Sequence, residues 1–235
     1  MGEVIEEFAS ELPEQQWILV GHGNYLGGLR VPNPYEIGVY MPLTTSDLER
    51  YQPREIFLGH IHDAPEHPRV HYMGSPCGLD ITETGKRHFL LYDTEDNTIQ
   101  SHNVNVDVLF YDETLVMLPA EDEKKFLKQI SNEMIESWEL SEEELAKVVL
   151  RLNIEGYCAD KAALDKGVKA IFSRFKFWKD EPPDTSEVAV SEDLERRYIV
   201  DNVKERLDEL KWPEGPDEPD SDDILLAALS LIYGD

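Results

Sequence analysis

Glu55-Ile56-Phe57-Leu58-Gly59-His60-Ile61-His62-Asp63 is the stretch on which the reading of the fold turns. A short apolar run closed by a glycine reads as a buried strand. Gly59 frees the backbone to turn at the strand end. Two imidazoles one residue apart, His60 and His62, then point to different sides, so that each can bind a different ion. Neutral imidazole suits Mn²⁺, Fe²⁺ and Zn²⁺. An isolated pair of this kind is usually two exposed histidines; its place behind a buried strand favours ligands.

Upstream, Trp17-Ile18-Leu19-Val20-Gly21-His22-Gly23 repeats the design of apolar strand, glycine and histidine. Taken alone, His22 would be structural. Its distance of 38 residues from His60 leaves room for a loop and a short helix between two strands of an α/β sheet. Residues 24–34 carry the Gly and Pro of a loop, Ile37–Leu43 reads as a strand, and Ser46–Tyr51 as a helix capped by Ser46 or Thr45. Before them, Gly2–Leu12 has an amphipathic spacing of Val4, Ile5, Phe8 and Leu12, and Pro13 stops that helix. Downstream, Arg69–Met73 and Arg87–Tyr92 are strands, with turns at Gly74-Ser75-Pro76 and Thr84-Gly85-Lys86.

The pattern changes near residue 100. Val104–Leu118 is β-rich, Glu121–Trp138 is a charged helix, and Lys147–Ile154 is a strand. Asp160 caps a helix over Lys161–Phe172, and Arg174–Trp178 is a last strand. Asp180–Thr185, with two prolines, reads as a linker, and Glu192–Lys211 as a charged helix. Pro213–Asp222 is acidic and Pro-rich, and Ile224–Tyr233 is a short apolar helix. The fold class is therefore α/β, in three segments: 1–100, an α+β unit over 101–180, and 181–235, a linker with terminal helices.

Composition narrows the function classes. The 235 residues are 41% hydrophobic and 30% charged, enough for a core, and no apolar run spans a bilayer, which predicts no membrane role. Cys77 and Cys158 match no zinc or redox spacing, and the acidic N-terminal segment lacks the basic start of a secretion signal; a cytoplasmic location follows. The formal charge of −27 argues against non-specific binding of nucleic acid over the whole surface. Any DNA contact then needs metal ions, a local basic patch or a partner. Lys161–Lys179 is such a patch, carrying Lys169, Arg174 and Lys176 among Phe172, Phe175, Phe177 and Trp178. The plainer reading, aromatics in the core and cations on a solvated face, is the stronger.

His22 followed by Gly59-His60-Ile61-His62 resembles the fourth and fifth metal motifs of calcineurin-like metallophosphoesterases. Within them, Val70-His71-Tyr72-Met73-Gly74-Ser75-Pro76, and Glu83 with Lys86–Leu91, look like segments of the SbcD-type nucleases of DNA double-strand-break repair and recombination. The resemblance is specific over 18–22 and 56–92 and weak after about residue 120. It implies a partial metallophosphoesterase β-sandwich over 1–100, a DNA-capping domain over 101–180, and C-terminal helices that bind an SMC-like ATPase of the SbcC type. It also implies two Mn²⁺ ions, His22 and His60 on one and His62 on the other, that activate water against a phosphodiester in an exonuclease or endonuclease. DNA would meet Ser75 at the rim, for which a plain turn is the simpler reading, and Lys169, Arg174 and Lys176 in the cap.

The family's first three motifs, DxH, GDxxD and GNHD/E, are absent from the 235 residues. With them go the bridging aspartate and the histidine that helps stabilise the transition state, so no catalytic residue is identified. Three imidazoles without carboxylates do not hold two divalent ions tightly; Asp63 and Asp80 are near in sequence, with nothing to show that they substitute. The expectation is a chain inactive alone, with exposed strand edges near Trp17 and Glu55 that call for a complementing N-terminal chain or a homodimer. The rivals are a small-molecule phosphodiesterase or phosphatase, and a non-catalytic module that binds DNA or an ATPase.

Overall fold

A computed structural model describes residues 1–27, 40–61, 67–191, 197–210 and 221–233. It is mixed α/β, with mostly parallel sheets flanked by helices, and forms two compact units: Met1–Cys77 with Lys86–Val106, and Gly78–Gly85 with Asp107–Asp235. His62, Asp63, the Gly/Pro loop from 28 onward, the first part of Ile37–Leu43 and most of Pro213–Asp222 lie outside the described residues.

In the first unit, α1 (Gly2–Phe8), β1 (Ile18–His22), α2 (Thr45–Tyr51), β2 (Glu55–Gly59) and β3 (Val70–Tyr72) follow in order. The three strands form a parallel sheet in the order β1-β2-β3. Parallel neighbours need a crossover, and α2 lies in the first one. Its N-cap is Thr44, ahead of both expected positions, Thr45 and Ser46: Thr44 Oγ1 accepts from the Asp47 N–H, and Asp47 accepts from the Thr44 N–H. That reciprocal box outcompetes the neighbouring Thr and Ser.

The core of this unit gathers Ile5, Leu43, Leu48, Ile56, Leu58 and Val70. α1 is shorter than its apolar spacing implies. Ile5 is buried and Leu12 packs on the core, but Val4 and Phe8 are exposed. β2 lies between two strands, so the edge expected near Glu55 is filled; β1 is an edge strand, with Val20 70% exposed. A hairpin of β4 (His88–Asp93) and β5 (Thr98–Asn103) completes the unit and lays Tyr92 against Phe57, ring centroids 5.3 Å apart.

The second unit is built on two long parallel strands, β6 (Leu109–Met117) and β7 (Val148–Cys158). Between them come α3 (Glu123–Ser137) and α4 (Glu142–Leu145). After β7, α5 (Lys161–Ile171) leads to β8 (Lys176–Phe177), which pairs with the start of β7, and β9 (Val188–Val190) pairs with its end. Asp160 is the N-cap of α5, as its position implies, accepting from the N–H groups of Ala162 and Ala163. Within residues 180–185, read as a linker, Asp184 instead pairs with β7: Ile154 N–H donates to Asp184 O, and Asp184 N–H to Leu152 O. β7 alternates buried and half-buried residues over eleven positions, so one face makes the core. α6 (Arg197–Glu209) and α7 (Ser221–Tyr233) pack Val200, Leu225, Leu229 and Tyr233 with Leu118 of the same unit. No helix among the described residues is long and apolar enough to cross a membrane.

Candidate functional site: a histidine pair at adjacent strand ends

β1 and β2 run parallel in the register Ile18↔Glu55 through His22↔Gly59. Their carboxyl ends therefore lie side by side, which brings His22 next to Gly59 and one step from His60. The Gly23 N–H donates to Gly59 O at 3.2 Å and carries the pairing one residue further. The imidazole centroids of His22 and His60 are 5.3 Å apart, their planes at 62°. His22 is exposed and His60 half-buried.

Gly59 makes this approach possible. A Cβ there would lie 2.7 Å from His22 Nδ1. The glycine therefore seats the neighbouring strand's imidazole as well as turning its own strand. The next residue carries the cost: His60 has φ of 99°, in the left-handed region that a residue with a Cβ seldom adopts. Such outliers persist where surrounding structure imposes them.

A third ring belongs to the cluster. The Tyr40 centroid is 5.9 Å from that of His22 and 5.4 Å from that of His60. Asn24, fully buried, fixes the Tyr40 backbone from both sides: its N–H donates to Tyr40 O at 2.9 Å, and its Oδ1 accepts from the Tyr40 N–H at 2.6 Å. Tyr72 of β3 braces the loop, its hydroxyl donating to Gly23 O and accepting from the Tyr25 N–H. Reading Ile37–Leu43 as a strand concealed Tyr40, since nothing in that stretch marks its one ring as a neighbour of the histidines. The Gly23-Asn24 pair straight after the histidine was the available cue to a tight, hydrogen-bonded turn.

The other expected residues have structural partners. Ser75 is buried, its Oγ accepting from the Arg87 guanidinium at 2.8 Å and its carbonyl from Arg87 Nε at 3.3 Å, as a plain turn residue would. Lys169 pairs with Asp165 one helical turn away, at 2.7 Å. Arg174 lies over the Phe175 ring and 3.7 Å from Glu142. Lys176 is exposed on β8, while Phe172 and Phe175 are core. The basic stretch is thus mostly a solvated face over a packed interior.

For a metal, the described residues supply two imidazole nitrogens at one place. Among them no group of three His, Cys, Asp or Glu side chains is arranged to hold an ion. Asp80 caps its own turn, accepting from the Thr82 N–H. The donor set fits part of the ligand shell of one borderline divalent ion, and lacks the carboxylates of a two-ion centre. In the first unit, burial, and then the charges of Arg69 and His71, lower the pKa of His67 below the ordinary 6.5. Its Nδ1 accepts from the Arg69 and Val70 N–H groups. Neither protein-family models nor the curated proteins yield a match to this chain.

Proposed function

We propose that the chain is the C-terminal portion of a metal-dependent DNA nuclease subunit of the SbcD type, inactive until carboxylates from an N-terminal segment join its histidines. The reading is carried by the meeting of His22 and His60 at the ends of adjacent parallel strands, 5.3 Å between rings. Open α/β sheets bind ligands outside the carboxyl ends of their strands, which is where these imidazoles stand. His22 and His60 would hold one ion, and His62 would serve a second. In the complete centre two ions about 3.5–4 Å apart clamp a phosphodiester and activate a water. The second unit serves on this reading as the cap, with its terminal helices offered to an SMC-like ATPase. Packing of Val200, Leu225 and Leu229 on that unit leaves exposed Ile199, Leu210 and Leu231 as the apolar residues a partner would meet.

The test is Mn²⁺-dependent cleavage of end-labelled duplex DNA, by the chain alone and mixed with a polypeptide that carries the DxH, GDxxD and GNHD motifs. No turnover alone, turnover in the mixture and its loss with His60→Ala are expected. Robust turnover by the chain alone would refute the incompleteness; none in the mixture would refute the nuclease reading.

A further inference from the structure

We propose that His67 is an acid-sensitive latch of the first unit: its neutral ring holds the start of β3 and the loop after β1, and a second proton on that ring releases both. This stands apart from the function proposed above and needs no metal ion.

Two backbone donors converge on one ring nitrogen. The N–H groups of Arg69 and Val70 both donate to His67 Nδ1, each at 3.2 Å. A nitrogen that accepts carries no proton, so a ring bonded in this way is neutral and keeps its one proton on Nε2. That nitrogen stands 3.4 Å from the Tyr25 hydroxyl, and the two rings pack with centroids 4.9 Å apart. Tyr25 is itself buried. Its hydroxyl lies 3.5 Å from Thr45 Oγ1 in the first turn of α2, and its N–H donates to the Tyr72 hydroxyl at 2.7 Å. One imidazole therefore joins the start of β3 to the loop that follows His22.

Protonation removes the accepting nitrogen. A ring with a proton on each nitrogen only donates, so the Arg69 and Val70 N–H groups lose their acceptor. Val70 is 2% exposed, and a buried amide left without a partner is costly. The ring must leave, and its contact with Tyr25 goes with it. The charged surroundings oppose the second proton until the solution is acidic. Arg69 and His71 act on the ring with positive charge, and burial adds to their effect. Glu55 of β2 is paired with His71 at 2.9 Å, and Asp47 of α2 with Thr44. Tyr25, which packs on the ring, and Thr45 behind that hydroxyl are uncharged. The sheet itself does not depend on the imidazole: Ile56 N–H donates to Arg69 O, and Met73 N–H to Leu58 O. Acid thus opens a local segment ahead of the unit as a whole.

The experiment follows amide hydrogen exchange and the His67 ring-proton NMR signals of the full chain from about pH 7.5 to about pH 5, either side of the ordinary imidazole value. After correction for intrinsic rates, protection of the Arg69 and Val70 N–H groups should fall about tenfold, the scale of one lost hydrogen bond. The fall should share its midpoint with the ring signal, while the amides of β2 keep their protection. His67→Asn, whose side-chain oxygen can accept the same N–H groups without titrating, should show the same protection at both ends of the range. Protection of Arg69 and Val70 that does not change with pH overturns the proposal. So does a fall whose midpoint departs from that of the ring, or one that persists in His67→Asn. Equal loss from the β2 amides overturns it too, since the unit would then be unfolding as a whole. If His67→Asn does not fold, the two midpoints in the unchanged chain decide.

Discussion

A missing methyl group places the histidines. The Cβ absent from Gly59 would stand 2.7 Å from His22 Nδ1, a side-chain atom able to swing away. Gly59→Ala should therefore leave the unfolding free energy from a urea melt nearly unchanged, within about 0.5 kcal/mol, and lower Zn²⁺ affinity about tenfold, as loss of ligand orientation does. A calorimetric titration beside a urea melt checks both halves. His67 offers a second test at this scale. Its lowered pKa means that the folded chain resists protonation more than the unfolded chain does. The stability this histidine contributes is present above pH 6.5, its ordinary value, and declines as pH falls through the folded value. An NMR titration should show its ring signal moving below pH 6.5. The apolar run, the glycine and the histidines of this site were legible in the sequence because they are local. Tyr40 and Asn24 were not, because the two residues that meet stand 16 positions apart in the sequence.

At the scale of elements, periodicity served well where one face is buried and poorly at edges. β7 was read as Lys147–Ile154 and extends to Cys158, because Gly156 interrupts the apolar alternation without interrupting the strand. Gly156 has φ of 98°, and a Cβ there would lie in contact with the backbone oxygen of Met117, which has nowhere to move. Gly156→Ala should cost about 2–3 kcal/mol in urea unfolding with an unchanged slope, unlike Gly59→Ala, since strain and overpacking add. β5, β9 and α4 escaped notice. β5 has almost no buried residue to give it a pattern, β9 is three residues long, and α4 is one helical turn set by the Ser141–Glu144 capping box. The aromatics of 172–178 were ambiguous in sequence, since core rings and a nucleic-acid platform share one composition. Burial puts Phe172 and Phe175 in the interior, while Phe177 and Trp178 are half-buried.

At the scale of the molecule, a chain of net charge −27 must confine any affinity for phosphates to a small place. The strand ends bearing His22 and His60 are that place on the present account, and the proposed function depends on the two acting on one ion. A double-mutant cycle tests this directly. Zn²⁺ affinity is measured for the unchanged chain, His22→Ala, His60→Ala and the double variant. If both imidazoles hold the same ion, each single replacement should lose nearly all the affinity that the double one loses, a strongly non-additive cycle. Additive losses, or affinity untouched by either replacement, would mean that the two rings meet without sharing a ligand, and would contradict the account.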